Sequence, residues 1–215
     1  LLAVLVGLIV GTGAELLRFF IGTLTSWTFR LMDILDANWL LLLFPVVGVL
    51  LCGIYCRYVV KDNMEFGCQR IRDALDRRDY RLRGHIVYAP IVSCALTLGF
   101  GGSSGAEGPI AYAGAGIGSN VGKFFGLSSG MLRILVGCGA GAGIAGIFKA
   151  PLAGVLFTLE ILLFNISMSS ILPLLLSTIS ATVVSYIFLG LKPPFECTLS
   201  PFSMGNIPFY VILGL

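Results

Sequence analysis

The stretch Gly101-Gly102-Ser103-Ser104-Gly105-Ala106-Glu107-Gly108-Pro109-Ile110 sets one carboxylate, Glu107, at the start of a helix in an otherwise almost wholly apolar region. Gly105 and Gly108 let the backbone turn sharply and approach a neighbour closely. Pro109 fits the first helical position, where a missing N–H costs nothing. The helix that follows opens with unpaired amides and the positive end of its dipole, which together make an anion site. A carboxylate on the edge of such a site can occupy it and compete with a soluble anion, so the residues predict a gate. A plainer role is also open to Glu107, capping the amides of Ile110 and Ala111. The two are compatible, because a protonated side chain would leave.

The 215 residues are 57% hydrophobic and 12% charged, with a mean hydropathy of +0.96. A soluble domain carries about 25% charged residues, so the composition predicts a polytopic, all-α integral membrane protein. The formal net charge of +3 is too small and dispersed for a nucleic-acid partner. Arg70, Arg72, Arg77, Arg78, Arg81 and Arg83 gather in one loop, which the positive-inside rule sets on the cytoplasmic side. The six cysteines follow no zinc or iron–sulfur spacing, and with one histidine, His85, they read as reduced packing residues. The chain opens and closes within apolar runs, and Leu1 to Val10 lacks the basic flank of a signal peptide. A piece of a longer protein, cut at both ends, is the expectation.

Leu1 to about Thr25, Trp39 to Val60 and Ile171 to Leu191 are long enough to cross a bilayer. Asp33 to Asn38 is expected to link the first two, and Phe66 to Arg77 to form a short mixed helix. Ile86 to Phe100, Pro109 to Phe125, Met131 to about Gly143 and Pro151 to Phe164 are shorter. At 1.5 Å per residue, roughly 13–17 residues rise about 20–25 Å, short of a hydrocarbon core of about 30 Å. Such helices tilt, or stop part-way where protein or a cavity surrounds their ends, as broken helices do around a transported substrate. Lys192 to Pro208 is expected to be a loop.

Glycines at every fourth residue (Gly114, Gly118, Gly122) and then Gly137, Gly139, Gly141, Gly143 and Gly146 predict closely packed helices. Gly141 to Gly146 also satisfies GxGxxG. Without a preceding strand or a following acidic residue it is no dinucleotide site, and Lys149 has no Walker A context. Between Val87 and Leu191 the charged residues are Glu107, Lys123, Arg133, Lys149 and Glu160. Lys123 and Arg133 lie near helix ends and can reach an interface. Glu160 is left three readings: a partner for Lys149, a partner for Arg133, or a station on a water path. An intramembrane enzyme would need a nucleophile and base at membrane depth. Ser103 and Ser104 lie near Glu107, but His85 is beside the basic loop.

Two blocks resemble the family of CLC chloride channels and proton-coupled chloride transporters. GGSSGAEGPI is similar to the family's GGSxGREGP signature, and GAGIAGIFKAPLAGVLFTLE to its GxAxxFxAPxxGxLFxxE block. The resemblance runs from about residue 1 to 215 and implies the first of the family's two inverted repeats. It implies anion transport, of chloride or a similar anion, in a multi-pass protein of the cell (inner) membrane, with protons and membrane lipid as further partners. Glu107 falls on the gating and proton-carrying glutamate. Gly105, Gly108, Pro109 and Ile110 fall on the segment that turns backbone amides to the anion. Glu160 falls on the last residue of the second block, on a possible inner proton path. The family forms homodimers, which would use Pro151–Phe164 and Ile171–Leu191. No cofactor or metal is implied, and the activity is transport, not enzymatic catalysis.

Three positions depart from the pattern. Ala106 stands for the arginine beside the gate. The family's GSGIP segment maps near residues 65–69, where Gly67 matches and Phe66 replaces the anion-contacting serine. Both positions remain implied anion contacts through their amides. Ile161 takes the place of a second glutamate found in many exchangers, which leans toward a channel without proton coupling.

Overall fold

The computed structural model describes residues 1–35, 40–61, 67–77, 80–162, 168–190, 204–207, 209 and 212. Among them the chain is helical, with no strand. In chain order the main helices are α1 (Leu2–Leu35), α2 (Leu40–Ile54), α3 (Gly67–Asp76), α4 (Ala89–Gly99), α5 (Glu107–Phe124), α6 (Ser129–Phe148), α7 (Pro151–Phe157) and α8 (Met168–Leu189). α2 continues into a π-helical stretch, Tyr55–Val60, and α7 into another, Thr158–Leu162. Four helical stretches among the described residues are long and apolar enough to cross a membrane: Leu2–Ile34, Leu41–Val60, Ser129–Phe148 and Ser170–Leu189.

Two helices outrun their sequence expectation. α1 continues through Thr25 to Leu35, so Asp33 is helical rather than part of a link. α6 is 20 residues instead of stopping near Gly143, and about 30 Å is a full crossing. Glycine weakens a helix that water can reach. Here Gly137, Gly139, Gly141, Gly143 and Gly146 are all buried among neighbouring helices, so packing overrides propensity.

The α5–α6 seam shows that packing atom by atom. A side chain on Gly114 would meet the Gly139 carbonyl, and one on Gly139 the Gly114 carbonyl. Gly118 likewise lies on the Leu135 carbonyl, and Gly143 on that of Ile110. This is one antiparallel register, and three residues further it sets Glu107 level with Gly146. Gly146 in turn lies against Ala14 and Gly11 of α1. α1 and α8 run parallel: Gly7 rests on Ser177, Gly11 on Ala181, and Glu15 meets Ser185. α1, α6 and α8 thus form a bundle core on which α5 is laid.

The basic loop is pinned at its end. Ser119, fully buried in α5, donates to the Tyr80 carbonyl at 2.6 Å and accepts from the Leu82 N–H at 2.9 Å. Lys123 donates to the Leu82 carbonyl beside it. Lys123 therefore clamps this loop to α5.

Candidate functional site

The site is built where α4 ends and α5 begins. α4 closes in a Schellman turn. Gly101 takes φ +84°, its N–H bonds the Leu98 carbonyl at 2.9 Å, and the Gly102 N–H bonds that of Thr97 at 2.9 Å. A non-glycine residue at 101 would be strained. The chain then crosses Ser103 to Ala106 and re-enters a helix at Glu107, with Ala106 as the N-cap.

Pro109 is therefore the third residue of α5 rather than its first, which moves Glu107 into the opening turn. The Ile110 N–H already bonds the Ala106 carbonyl at 3.1 Å, and Pro109 has no N–H to offer. Neither can present an amide to an anion, which corrects that part of the sequence reading. Among the described residues, the backbone N–H groups from Ser103 to Gly108, those of Gly105, Glu107 and Gly108 included, bond no carbonyl. Gly108 has nothing within 4 Å of where a side chain would stand, so its face is open.

The Glu107 carboxylate does not cap the helix. It is exposed, with no hydrogen bond or ion pair among the described residues. It folds back over the loop instead: a side chain on Gly105 would collide with Oε2 of Glu107. Glycine at 105 thus vacates the space that the carboxylate takes. The Cys94 thiol on α4 is within electrostatic reach of that carboxylate. Ala106, Phe148 and Phe157 pack on the cluster that contains Ile110, Ala111 and Ile144. An apolar wall therefore stands beside a charged group at the positive end of a helix dipole.

The other sequence candidates lie apart from this corner or outside view. Phe66 falls outside the described residues, and Gly67 is placed only as the first residue of α3. Glu160 sits exposed in the π-helical stretch and pairs with neither Lys149 nor Arg133. Lys149 is 8% exposed and has another partner: its Nζ bonds the Gly190 carbonyl at 2.9 Å at the end of α8, and sits 5.3 Å above the Tyr186 ring. A cation at a helix C-terminus completes that dipole, and the ring face adds to it. The bonds to α8 are long-range in sequence, so the spacing of Lys149 and Glu160 could not show them.

Sequence reasoning passed over a second intramembrane carboxylate. Glu15 on α1, its side chain 10% exposed, accepts from Ser185 Oγ on α8 at 2.5 Å and pairs with Arg18 at 3.7 Å. The available signal was an acid and a base three residues apart within an apolar run.

A bundle of helices long and apolar enough to cross a membrane, with a helix starting inside it, is the architecture of a polytopic membrane protein. Residues 48–215 match the model of the voltage gated chloride channel family, and the chain belongs to that family. The Arabidopsis thaliana chloride channel protein CLC-e is 33% identical over 190 residues, which are 84% of this chain and 26% of that protein. An H(+)/Cl(-) exchange transporter, ClcA of Citrobacter koseri, is 37% identical over 123 residues, 55% of this chain and 26% of that one. The crystal structure of a slow cyanobacterial Cl-/H+ antiporter superposes with a TM-score of 0.82 at 26% identity, covering 99% of this chain and 52% of that one. The chain thus spans between about a quarter and about half of these relatives. It is an integral membrane protein of the fold they share.

Proposed function

We propose that this chain is the N-terminal repeat of a protein that moves chloride or a similar anion across the inner cell membrane, with Glu107 as a proton-operated gate. The observation that carries the reading is the Glu107 carboxylate itself. It lies in the opening turn of α5, beside the free N–H groups of Gly105 and Gly108, with no protein partner among the described residues. Positive dipole and unpaired amides suit either this carboxylate or a dissolved anion. Protonation removes the charge that competes for the site, and the anion then takes the place.

The membrane-facing surface supports a homodimer through α7 and α8, where Leu152, Leu156, Leu172, Ile179, Ile187 and Phe188 are exposed. Two modes of operation fit the site. In an exchanger the proton taken by Glu107 continues inward; in a channel it only opens the outer gate. Ile161, directly after Glu160, supports the channel by leaving no second carboxylate there.

The full-length protein in liposomes tests this. Anion efflux and internal pH are followed together, with parent and Glu107→Gln. Protons driven uphill by a chloride gradient identify an exchanger, and anion flux without them a channel. In both cases Glu107→Gln loses the pH dependence of flux; an unaltered pH profile overturns the assignment.

A further inference from the structure

Outside the Glu107 corner, α2 carries a stripe spaced one turn apart: Phe44, Gly48, Cys52 and Cys56. Gly48 rests on the Leu96 carbonyl and the Phe100 side chain, so this stripe is the face that α2 turns to α4. Val47, Val49, Leu50, Leu51 and Ile54 point away and are exposed. Within the stripe the Cys52 and Cys56 side chains stand four residues apart on one face, within electrostatic reach of each other. Both are reduced and half-buried. Cys94, on the α4 wall of the same seam, is within electrostatic reach of Cys52 and also of Glu107. The pair straddles the point where α2 changes from α to π winding, between Ile54 and Tyr55.

From this geometry we propose that Cys52 and Cys56 form a dithiol site for a thiophilic, two-bond ligand of the trivalent arsenical class, and that its occupation slows transport by acting on the α2–α4 seam. Residues four apart on a helix share a face, so both sulfurs reach one centre. Sulfur ligands select soft partners. Among the described residues no three His, Cys, Asp or Glu side chains gather to hold a metal ion, which favours a ligand satisfied by two bonds. An uncharged arsenical also avoids the cost of bringing an ion to membrane depth.

The chemistry balances without an oxidant. For an organoarsenic oxide, each thiol gives its proton to the oxygen, which leaves as one water. Two As–S bonds replace the As–O double bond and the two S–H bonds, and arsenic stays trivalent. The product is neutral and buries no new charge. The bound group is larger than the two hydrogens it displaces, and it sits one turn from Gly48. A wedge there presses α2 off Leu96 and Phe100, the last turn of α4, from which the Gly101–Gly102 turn and the Glu107 loop hang.

The inference goes beyond the gating proposal, and its binding test reads mass rather than transport. Full-length protein in detergent is treated with phenylarsine oxide and weighed intact. One adduct is expected that a competing dithiol strips off, that Cys52→Ser and Cys56→Ser each lose, and that Cys94→Ser and Cys138→Ser keep. An adduct that survives in either Cys52→Ser or Cys56→Ser, or parent protein that takes none, overturns the site. In liposomes, phenylarsine oxide is expected to slow anion flux through the parent and leave Cys56→Ser unaffected, with the flux of untreated Cys56→Ser reporting that its fold survives. Parent flux unchanged by a bound arsenical overturns the link to the seam. Loss of pH dependence in Glu107→Gln stands or falls separately.

Discussion

Gly139→Ala tests the α5–α6 seam most directly, because its cost can be worked from the contacts. An added Cβ would meet the Gly114 carbonyl oxygen, with the carbonyl carbon at 2.6 Å and the Ala115 nitrogen at 3.3 Å. All three are backbone atoms of a helix and cannot rotate away as a side-chain tip can. The helices must part by roughly an ångström along a register that also joins Gly118 to Leu135 and Gly143 to Ile110. Overpacking of this kind costs about 1–3 kcal/mol. At about 2–4 °C per kcal/mol, the melting temperature falls by roughly 2–12 °C. The assay is the fraction of full-length, detergent-solubilised protein that stays monodisperse on size-exclusion chromatography after a heating series. Gly53→Ala is the control, since Gly53 lies on the exposed face of α2 with nothing within 4 Å. Gly139→Ala melting at or above the parent, with Gly53→Ala unchanged, would refute the register and with it the placement of Glu107 beside Gly146.

Two further substitutions probe the corner and the loop. Gly105→Ala drives the Glu107 carboxylate from its place over the loop; a steric penalty of about 1–3 kcal/mol shifts the balance of carboxylate positions by about 5- to 150-fold. Flux at neutral pH should rise toward its acid value in proteoliposomes, and a profile superposable on the parent's would count against the geometry. Ser119→Ala removes the two Ser119 bonds to Tyr80 and Leu82 and leaves the Lys123 bond to Leu82, at a net cost of about 0.5–1.5 kcal/mol each; faster tryptic cleavage after Arg81 or Arg83 is expected, and an unchanged cleavage rate would show that the Ser119 bonds do not hold the loop.

The residues of this chain announce its class because the membrane imposes a composition. Few charges, long apolar runs and glycines at helical spacing follow from the need to satisfy backbone polar groups without water. A helix start at this corner was legible to within two residues, since Gly-x-Glu-Gly-Pro combines turn chemistry, a charge and a ring that tolerates only the first helical turn. The spans were legible in kind but not in length. The apolar segment read as ending near Gly143, yet α6 runs on to Phe148 because Ile110 and Ala14 fill the space at the missing side chains of Gly143 and Gly146.

Partner choice was decided only in three dimensions. Lys149 turned to the end of α8 rather than to Glu160, and Glu15 found Ser185 about 170 residues away. Whether Glu107 would cap its own helix or lie free also waited on the fold. The answer came from which atom the Ile110 N–H reaches first, the Ala106 carbonyl. Composition and local turn chemistry act over a few residues and can be read along the chain. The pairing of a buried charge depends on which distant helix ends arrive at the same depth, and packing sets that.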